Sequence, residues 1–241
     1  MFFATFLKFF YFFKKSFFIK HYIYKIGIFF LFLGKNKDNF NFKEKKMKLK
    51  DSQTYQNLAK AFAGECQARV RYEFIEYGAR QQGYKRLADV IDKIVYNEFN
   101  HARMFYTKIQ DADDKIIENI DICSGYPFKE KWDLEENLRL ASEDEEKETI
   151  LYPEFAKTAE EEGFLDIANL FNNIARIENC HMLLFKDLYT QFKKGTLYKK
   201  KASEKWKCGD CGYEICSKSA PETCPVCQAK QGSFLLILKD E

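Results

Sequence analysis

The sequence predicts a mainly α-helical protein, a four-helix bundle followed by a small cysteine-rich module. Three observations predict it. Apolar residues recur at helical spacing through four stretches between Ser52 and Phe192. Turn residues fall between those stretches, at Gly83, at Gly125 and Pro127, and at Gly163. After Gly195 the pattern changes to short β-like pieces around two Cys-x-x-Cys pairs. A chain of 241 residues is long enough for one sizeable core and one small module.

The first helix is capped by Ser52 or Thr54 and carries Leu58, Ala61, Phe62 and Glu65 on one side. It runs to about Arg80 and stops near Gly83. The second, from about Tyr84 to Gln110, presents Leu87, Val90, Ile91, Ile94 and Val95. Residues 111–131 read as a crossing connection. The third helix starts near Asp133 and ends before Gly163, with Pro153 inside it as an expected kink. The fourth runs from about Phe164 to Phe192, with Ile167, Leu170, Phe171 and Ile174 at helical spacing. Gly195 ends it. The expected domains are therefore the bundle at 47–195, a polar linker at 196–204 and the cysteine module at 205–241.

Residues 1–46 differ from the rest. They hold 14 of the 25 phenylalanines and ten lysines against only Asp38 and Glu44, so the remainder of the chain is net acidic. Their longest late apolar run, Ile26–Leu33, is 8 residues, too short for a membrane span of about 18–20. A basic targeting or anchor segment, a disordered extension, and a translated A/T-rich leader ahead of a true start at Met47 are the readings open to it. The net charge of +3 gives no general case for a nucleic-acid partner.

The chemistry concentrates on histidine. His101 and His181 each follow a glutamate by three positions, in "NEFNH" (Glu98, His101) and "IENCH" (Glu178, His181). Residues i and i+3 of an α-helix lie about 60° apart around the axis, so both side chains can reach one ion. One such motif is an ordinary surface pair. Two of them, on the second and fourth helices, ask for a carboxylate from each of the others. Glu65 supplies it on the first helix, within "FAGECQARVRY". The third offers the acidic run "SEDEEKE", residues 142–148, which taken alone is a solvated face. Carboxylates that can bridge two hard ions, with imidazoles completing the set, form the di-iron carboxylate pattern of helix bundles. Without metal, such crowded glutamates would have to take up protons or hold the bundle open. Cys180 sits about 100° from His181 around the helix and is expected to pack rather than ligate.

Cys208-x-x-Cys211 and Cys224-x-x-Cys227, with 12 residues between the pairs, converge as a tetrahedral thiolate site suited to iron or zinc. Gly209, Gly212 and Pro225 permit tight knuckles that turn amides toward sulfur. Trp206, Tyr213 and Phe234 can form a small aromatic core, and a module this small depends on its metal. A structural zinc ribbon is the alternative. Cys216 is expected to be a free thiol. Paired thiols that bind metal, rather than a disulfide framework, indicate a reducing compartment.

These stretches together resemble the rubrerythrin family, a ferritin-like di-iron bundle followed by a rubredoxin-like domain. The resemblance covers about residues 50–238 and is carried by "AFAGECQARVRY", "NEFNHARMFY", "LYPEFAKTAEEEGF", "IARIENCH" and "WKCGDCGYEICSKSAPETCPVC". It implies two iron ions held by Glu65, Glu98, His101, Glu178 and His181, with two further glutamates three apart on the third helix. Counting back from Tyr152 and Pro153 gives Asp144 and Lys147, and a lysine does not suit iron. Counting forward from "ENLRLA" gives Glu145 and Glu148, the expected pair, with Glu143 and Glu146 as the alternative. The resemblance also implies that Tyr72 and Tyr152 hydrogen-bond ligating carboxylates, and that Cys208, Cys211, Cys224 and Cys227 hold one further iron.

The activity implied is that of a peroxidase in oxidative-stress defence. It would reduce hydrogen peroxide with electrons from the rubredoxin-like iron, supplied by another redox protein, in a head-to-tail homodimer. A cytoplasmic location is expected, or an organelle if residues 1–46 are a genuine targeting segment. A ferroxidase or iron-handling role is the first alternative, though a storage protein has no need of an attached electron carrier. A non-enzymatic peroxide sensor is the second.

Overall fold

The computed structural model describes residues 47–113, 115–125 and 133–237. The expectations for residues 1–46, and for the part of the crossing connection that contains Pro127, fall outside the described residues. Four helices dominate: α1 (Gln53–Gln81), α2 (Lys85–Gln110), α3 (Leu134–Glu161) and α4 (Leu165–Lys193). The Ser52 hydroxyl caps α1 by accepting from the Tyr55 amide at 3.1 Å, and Asp133 caps α3 by accepting from the Glu136 amide. Pro153 lies within α3 without ending it.

Two helical hairpins result, α1 on α2 and α3 on α4, and they meet mainly through α1 and α3. Each hairpin turns on a glycine with positive φ, 86° at Gly83 and 85° at Gly163. At both, the next amide reaches back five residues, Tyr84 to the Ala79 carbonyl and Phe164 to the Ala159 carbonyl, closing the helix end. A side chain in that left-handed region costs about 1–2 kcal/mol, so glycine is placed there for its backbone. Glu162, just past α3, accepts from the amides of Gln53 and Thr54 and from the Thr54 hydroxyl. It thus caps the positive end of α1 with an anion and ties the start of α1 to the end of α3.

The bundle has two apolar cores. One gathers Leu58, Phe105, Tyr152, Ile167, Phe171 and Ile174. The other gathers Tyr72, Ile75, Ile91, Leu138, Phe185 and Leu188. Along each helix a buried glutamate sits between the residues assigned to the two cores: Glu65, Glu98, Glu145 and Glu178.

Matched positions of the two hairpins stand 80 residues apart. The pairs include Leu58 and Leu138, Glu65 and Glu145, Tyr72 and Tyr152, Gly83 and Gly163, Glu98 and Glu178, and His101 and His181.

The C-terminal module is a three-stranded antiparallel sheet in the order β2–β1–β3, from β1 (Lys199–Cys208), β2 (Glu214–Ser219) and β3 (Phe234–Ile237). Trp206 pairs with Ile215 on one side and Leu236 on the other, and its indole donates to the Ser217 carbonyl at 3.0 Å. Trp206, Phe234, Cys208 and Cys224 form its core, with Tyr213 packed against them. The expected linker at 196–204 is shorter than predicted, because β1 begins at Lys199, where it pairs with Ser219. Lys199–Glu204 is mostly exposed, so no alternation of apolar and polar residues betrays it as a strand.

The module contacts the first turn of α2. Asp210 accepts from Lys85 Nζ and Arg86 Nη2, both at 3.0 Å, and Arg86 Nε donates to the Ser233 carbonyl at 3.2 Å. Gly232 lies so close to the Gly83 carbonyl that a Cβ there would collide with it.

Candidate metal centres

All four helices contribute to the cluster between the two apolar cores. Glu65 comes from α1, Glu98 and His101 from α2, Glu145 from α3, and Glu178 and His181 from α4, all buried. Two groups form. Ligand atoms of Glu65, Glu98, His101 and Glu178 lie within 4.8 Å of one another, and so do those of Glu98, Glu145, Glu178 and His181. Glu98 and Glu178 belong to both groups and stand between two ion positions.

The contacts are those of a donor set converging on cations. Nδ1 of His101 lies 2.8 Å from Glu178, 3.0 Å from Glu98 and 3.6 Å from Glu65. Nδ1 of His181 lies 2.8 Å from Glu178 and 3.0 Å from Glu98. One ring N–H cannot serve several carboxylates at once. Buried oxygens of Glu65, Glu98, Glu145 and Glu178 have no directed hydrogen-bond donor. Such uncompensated oxygens are costly unless a cation shares them, and carboxylate with imidazole is a donor set iron accepts.

The two predicted tyrosines cross the bundle. Tyr152 on α3 donates to Glu65 Oε1 on α1 at 2.5 Å. Tyr72 on α1 faces Glu145 on α3, where its hydroxyl partly offsets the effect of burial on that carboxyl. Both tyrosines are buried, and both phenols are pushed well above their ordinary pKa, first by burial and then by nearby carboxylates, Glu145 at Tyr72 and Glu148 followed by Glu65 at Tyr152.

The acidic run on α3 divides by direction. Glu145 is buried in the second group. The Glu148 carboxylate lies 4.0 Å from the point where a Cβ on Gly64 would sit, and it feels the charges of Glu65, Glu178 and Glu98. Glu143 and Glu146 are exposed, and Glu143 pairs with Arg139. Asp144 pairs with the buried Arg71 and with Lys147. Glu145 thus points into the cluster and the half-buried Glu148 lies beside it without joining either group, while Glu143 and Glu146 point outward. Cys180, expected to pack, is instead exposed: it lies two residues from Glu178, about 200° around α4.

Asn97 was not singled out in the sequence. Its amide lies 3.1 Å from Nε2 of His181 and fixes the far edge of that ring. A polar residue beside a Glu-x-x-His motif carries no signal until the fold shows which way it faces.

Without bound cations the cluster would balance its charge with protons. Burial, reinforced by neighbouring carboxylates, pushes the Glu65, Glu145 and Glu148 carboxyls well above the usual range, with His101 opposing at Glu65. Burial acts the same way on Glu98, yet its hydrogen bond with His101 and the close approach of the His181 ring hold it at about 2. Burial would lower both imidazoles, but their carboxylate partners raise His101 to about 12 and His181 to about 9. Cations entering the cluster would displace those protons.

In the module, Cys208 Sγ lies 3.7 Å from Cys227 Sγ, and Cys211 Sγ lies 3.6 Å from Cys224 Sγ. Tetrahedral thiolates at a metal–sulfur distance of about 2.3 Å stand about 3.8 Å apart, so the four sulfurs fit one ion. Cys208 and Cys224 are buried, Cys211 and Cys227 exposed. Backbone amides of Tyr213, Val226, Cys227 and Ala229 bond to the sulfurs. Burial pushes the Cys224 thiol up, but the amides of Cys227 and Val226 bring it down to about 7. Cys216 is an exposed free thiol on β2, as expected.

Comparison with known proteins places these features together. The family model described as rubrerythrin matches residues 56–189, with a second match over 136–207. The rubrerythrin rubredoxin-like domain matches residues 206–234. A rubrerythrin of Clostridium perfringens is 39% identical over 187 residues, 77% of this chain and 95% of that protein. One of Porphyromonas gingivalis is 37% identical, covering 77% and 90%. A solved structure of partially reduced nigerythrin covers 81% of this chain and 96% of its own, at a TM-score of 0.50 and 24% identity, a likeness of fold.

Proposed function

Because the chain belongs to the rubrerythrin family, whose members bind iron, we propose that it is a non-haem di-iron peroxidase that reduces hydrogen peroxide to water. The observation that carries the reading is the presence in one chain of a buried carboxylate–imidazole cluster and a separate four-thiol site. Glu65, His101 and Glu148 would serve one ion position, Glu145 and His181 the other, and Glu98 and Glu178 both. Cys208, Cys211, Cys224 and Cys227 would hold a single iron.

When bound, the two ferrous ions supply the two electrons that, with two protons, convert hydrogen peroxide to two waters. The chain's own groups do the rest. Tyr152 holds the Glu65 carboxylate by its hydroxyl, and Tyr72 faces Glu145 across the bundle. Asn97 orients the His181 ring. The apolar cores on either side keep the cluster in a water-poor setting, where charged donors act strongly.

Electrons would reach the thiolate iron from an external redox protein. Arg86 touches the module, and Glu98 stands 12 residues further along the same helix, about 18 Å away at 1.5 Å per residue. That span supports a homodimer in which each module serves the other chain's cluster. Eight unpaired cysteines suit a reducing compartment, and the cytoplasm is the proposed location. No helix among the described residues is long and apolar enough to cross a membrane.

The fully reduced chain, mixed with hydrogen peroxide in a stopped-flow instrument, should oxidise at both centres and then turn over with a reduced donor protein. A diferrous form that peroxide leaves unoxidised sinks the reading.

A further inference from the structure

The first turn of α2 is built against the thiolate site of its own chain. Asp210, between Cys208 and Cys211, takes Lys85 on one oxygen and Arg86 on the other. The Ser233 carbonyl accepts from the Gly209 amide at 2.8 Å and from Arg86 Nε at 3.2 Å, so Arg86 shares an acceptor with the knuckle itself. The guanidinium occupies the space a side chain on Gly209 would need. The short turn Gln231–Ser233 rests on the same helix start, with Gly232 against the Gly83 carbonyl. Lys85, Arg86 and the positive end of a helix thus face Asp210 beside four thiols, while Asp89 pairs with Arg86 from within α2 at 2.5 Å and offsets part of its charge.

We propose that Lys85 and Arg86 are positioning residues for the four-cysteine centre, tilting its redox balance toward the reduced state, with Asp210 as the opposing charge. The inference rests on iron in that site but not on peroxide chemistry. Four thiolates around ferric iron carry a net charge of −1, and one added electron makes it −2 with no bond formed or broken. Nearby positive charge favours the more negative state, and a nearby anion disfavours it.

The test uses the full chain reconstituted with iron and poised at a fixed ambient potential. The reduced-to-oxidised ratio of the thiolate iron is read from its absorption. This needs neither peroxide nor an occupied di-iron site, so its outcome is separate from that of the peroxidase reading. Arg86→Gln and Lys85→Gln should each lower the ratio about two- to fivefold, the scale of a partly exposed charge. Asp210→Asn should raise it. Salt at about 1 M, where screening acts within about 3 Å, should shrink all three shifts. Lys85 is half exposed and bonds only through its terminal amine, so its variant carries the test even if Arg86→Gln misfolds. Ratios that do not move overturn the proposal. So do Arg86→Gln and Asp210→Asn shifts in the same direction, which mark a packing role alone.

Discussion

Replacing Glu145 by glutamine removes one charge and almost no volume. Without metal, burial and the neighbouring carboxylates push this carboxyl well above the usual range, toward its neutral form. An amide of the same shape should therefore change the stability of the metal-free protein by less than about 1 kcal/mol. With metal bound the balance differs. The ion beside His181 loses an anionic donor in a water-poor site, and deleting one partner from a buried set of charges costs about 3–5 kcal/mol. That is about two to three and a half decades of affinity. Glu143→Gln is the control. Its carboxylate is exposed and pairs with Arg139, so its loss should cost about 0–1 kcal/mol of stability and leave metal affinity unchanged. Anaerobic competition for ferrous ion against a chromophoric chelator gives the affinities, and urea melts give the stability of the metal-free forms. A Glu143→Gln variant that loses metal while Glu145→Gln keeps it would refute the assignment. A Glu145→Gln variant that unfolds without metal would refute the protonated state.

Three further outcomes are expected. In the metal-free chain His181 titrates at about 9 and His101 at about 12, so the folded state binds more protons than the unfolded one. Stability from these groups is full below about pH 6.5 and falls as pH rises through 9, while Glu98, held at about 2, acts oppositely only in acid. Urea midpoints should therefore drop between about pH 7 and 9.5, and a flat profile would mean neutral imidazoles. Tyr152→Phe keeps the ring packed near Phe105 and Phe171 but strips a buried donor from Glu65, costing about 1–3 kcal/mol in the same assay. No measurable loss would show that the hydrogen bond contributes nothing. Gly163→Ala meets no neighbouring atom, so its cost of about 1–2 kcal/mol is backbone alone. Unaltered stability would rule out the left-handed turn.

Local geometry explains what could be read in advance. Glu98 with His101 and Glu178 with His181 are i,i+3 pairs, whose convergence depends only on the helix they ride. Gly83 and Gly163 end helices for equally local reasons. "SEDEEKE" resisted because it offers an acid at nearly every position, and only tertiary partners choose among them. Arg139 draws Glu143 outward and Arg71 takes Asp144, leaving Glu145 and Glu148 to face in. A signal was present all the same: 80 positions beyond Glu65 stands Glu145, the same spacing that relates the two Glu-x-x-His motifs. The start of β1 was hidden for the opposite reason, since an exposed lysine-rich edge leaves no apolar pattern to find.

The 80-residue correspondence also isolates one exception. Every proposed ligand of the bundle has a counterpart in the other hairpin except Glu148, whose equivalent is the buried Ala68. Among the proposed ligands, a single carboxylate breaks the correspondence between the hairpins. On the proposed ligand set, the position beside Glu65 and His101 carries one more negative charge than its twin. The two ions are then chemically distinct, with the more highly charged ion favoured on the Glu148 side. A stepwise filling of the pair would follow from that difference, set by one residue with no counterpart in the other hairpin.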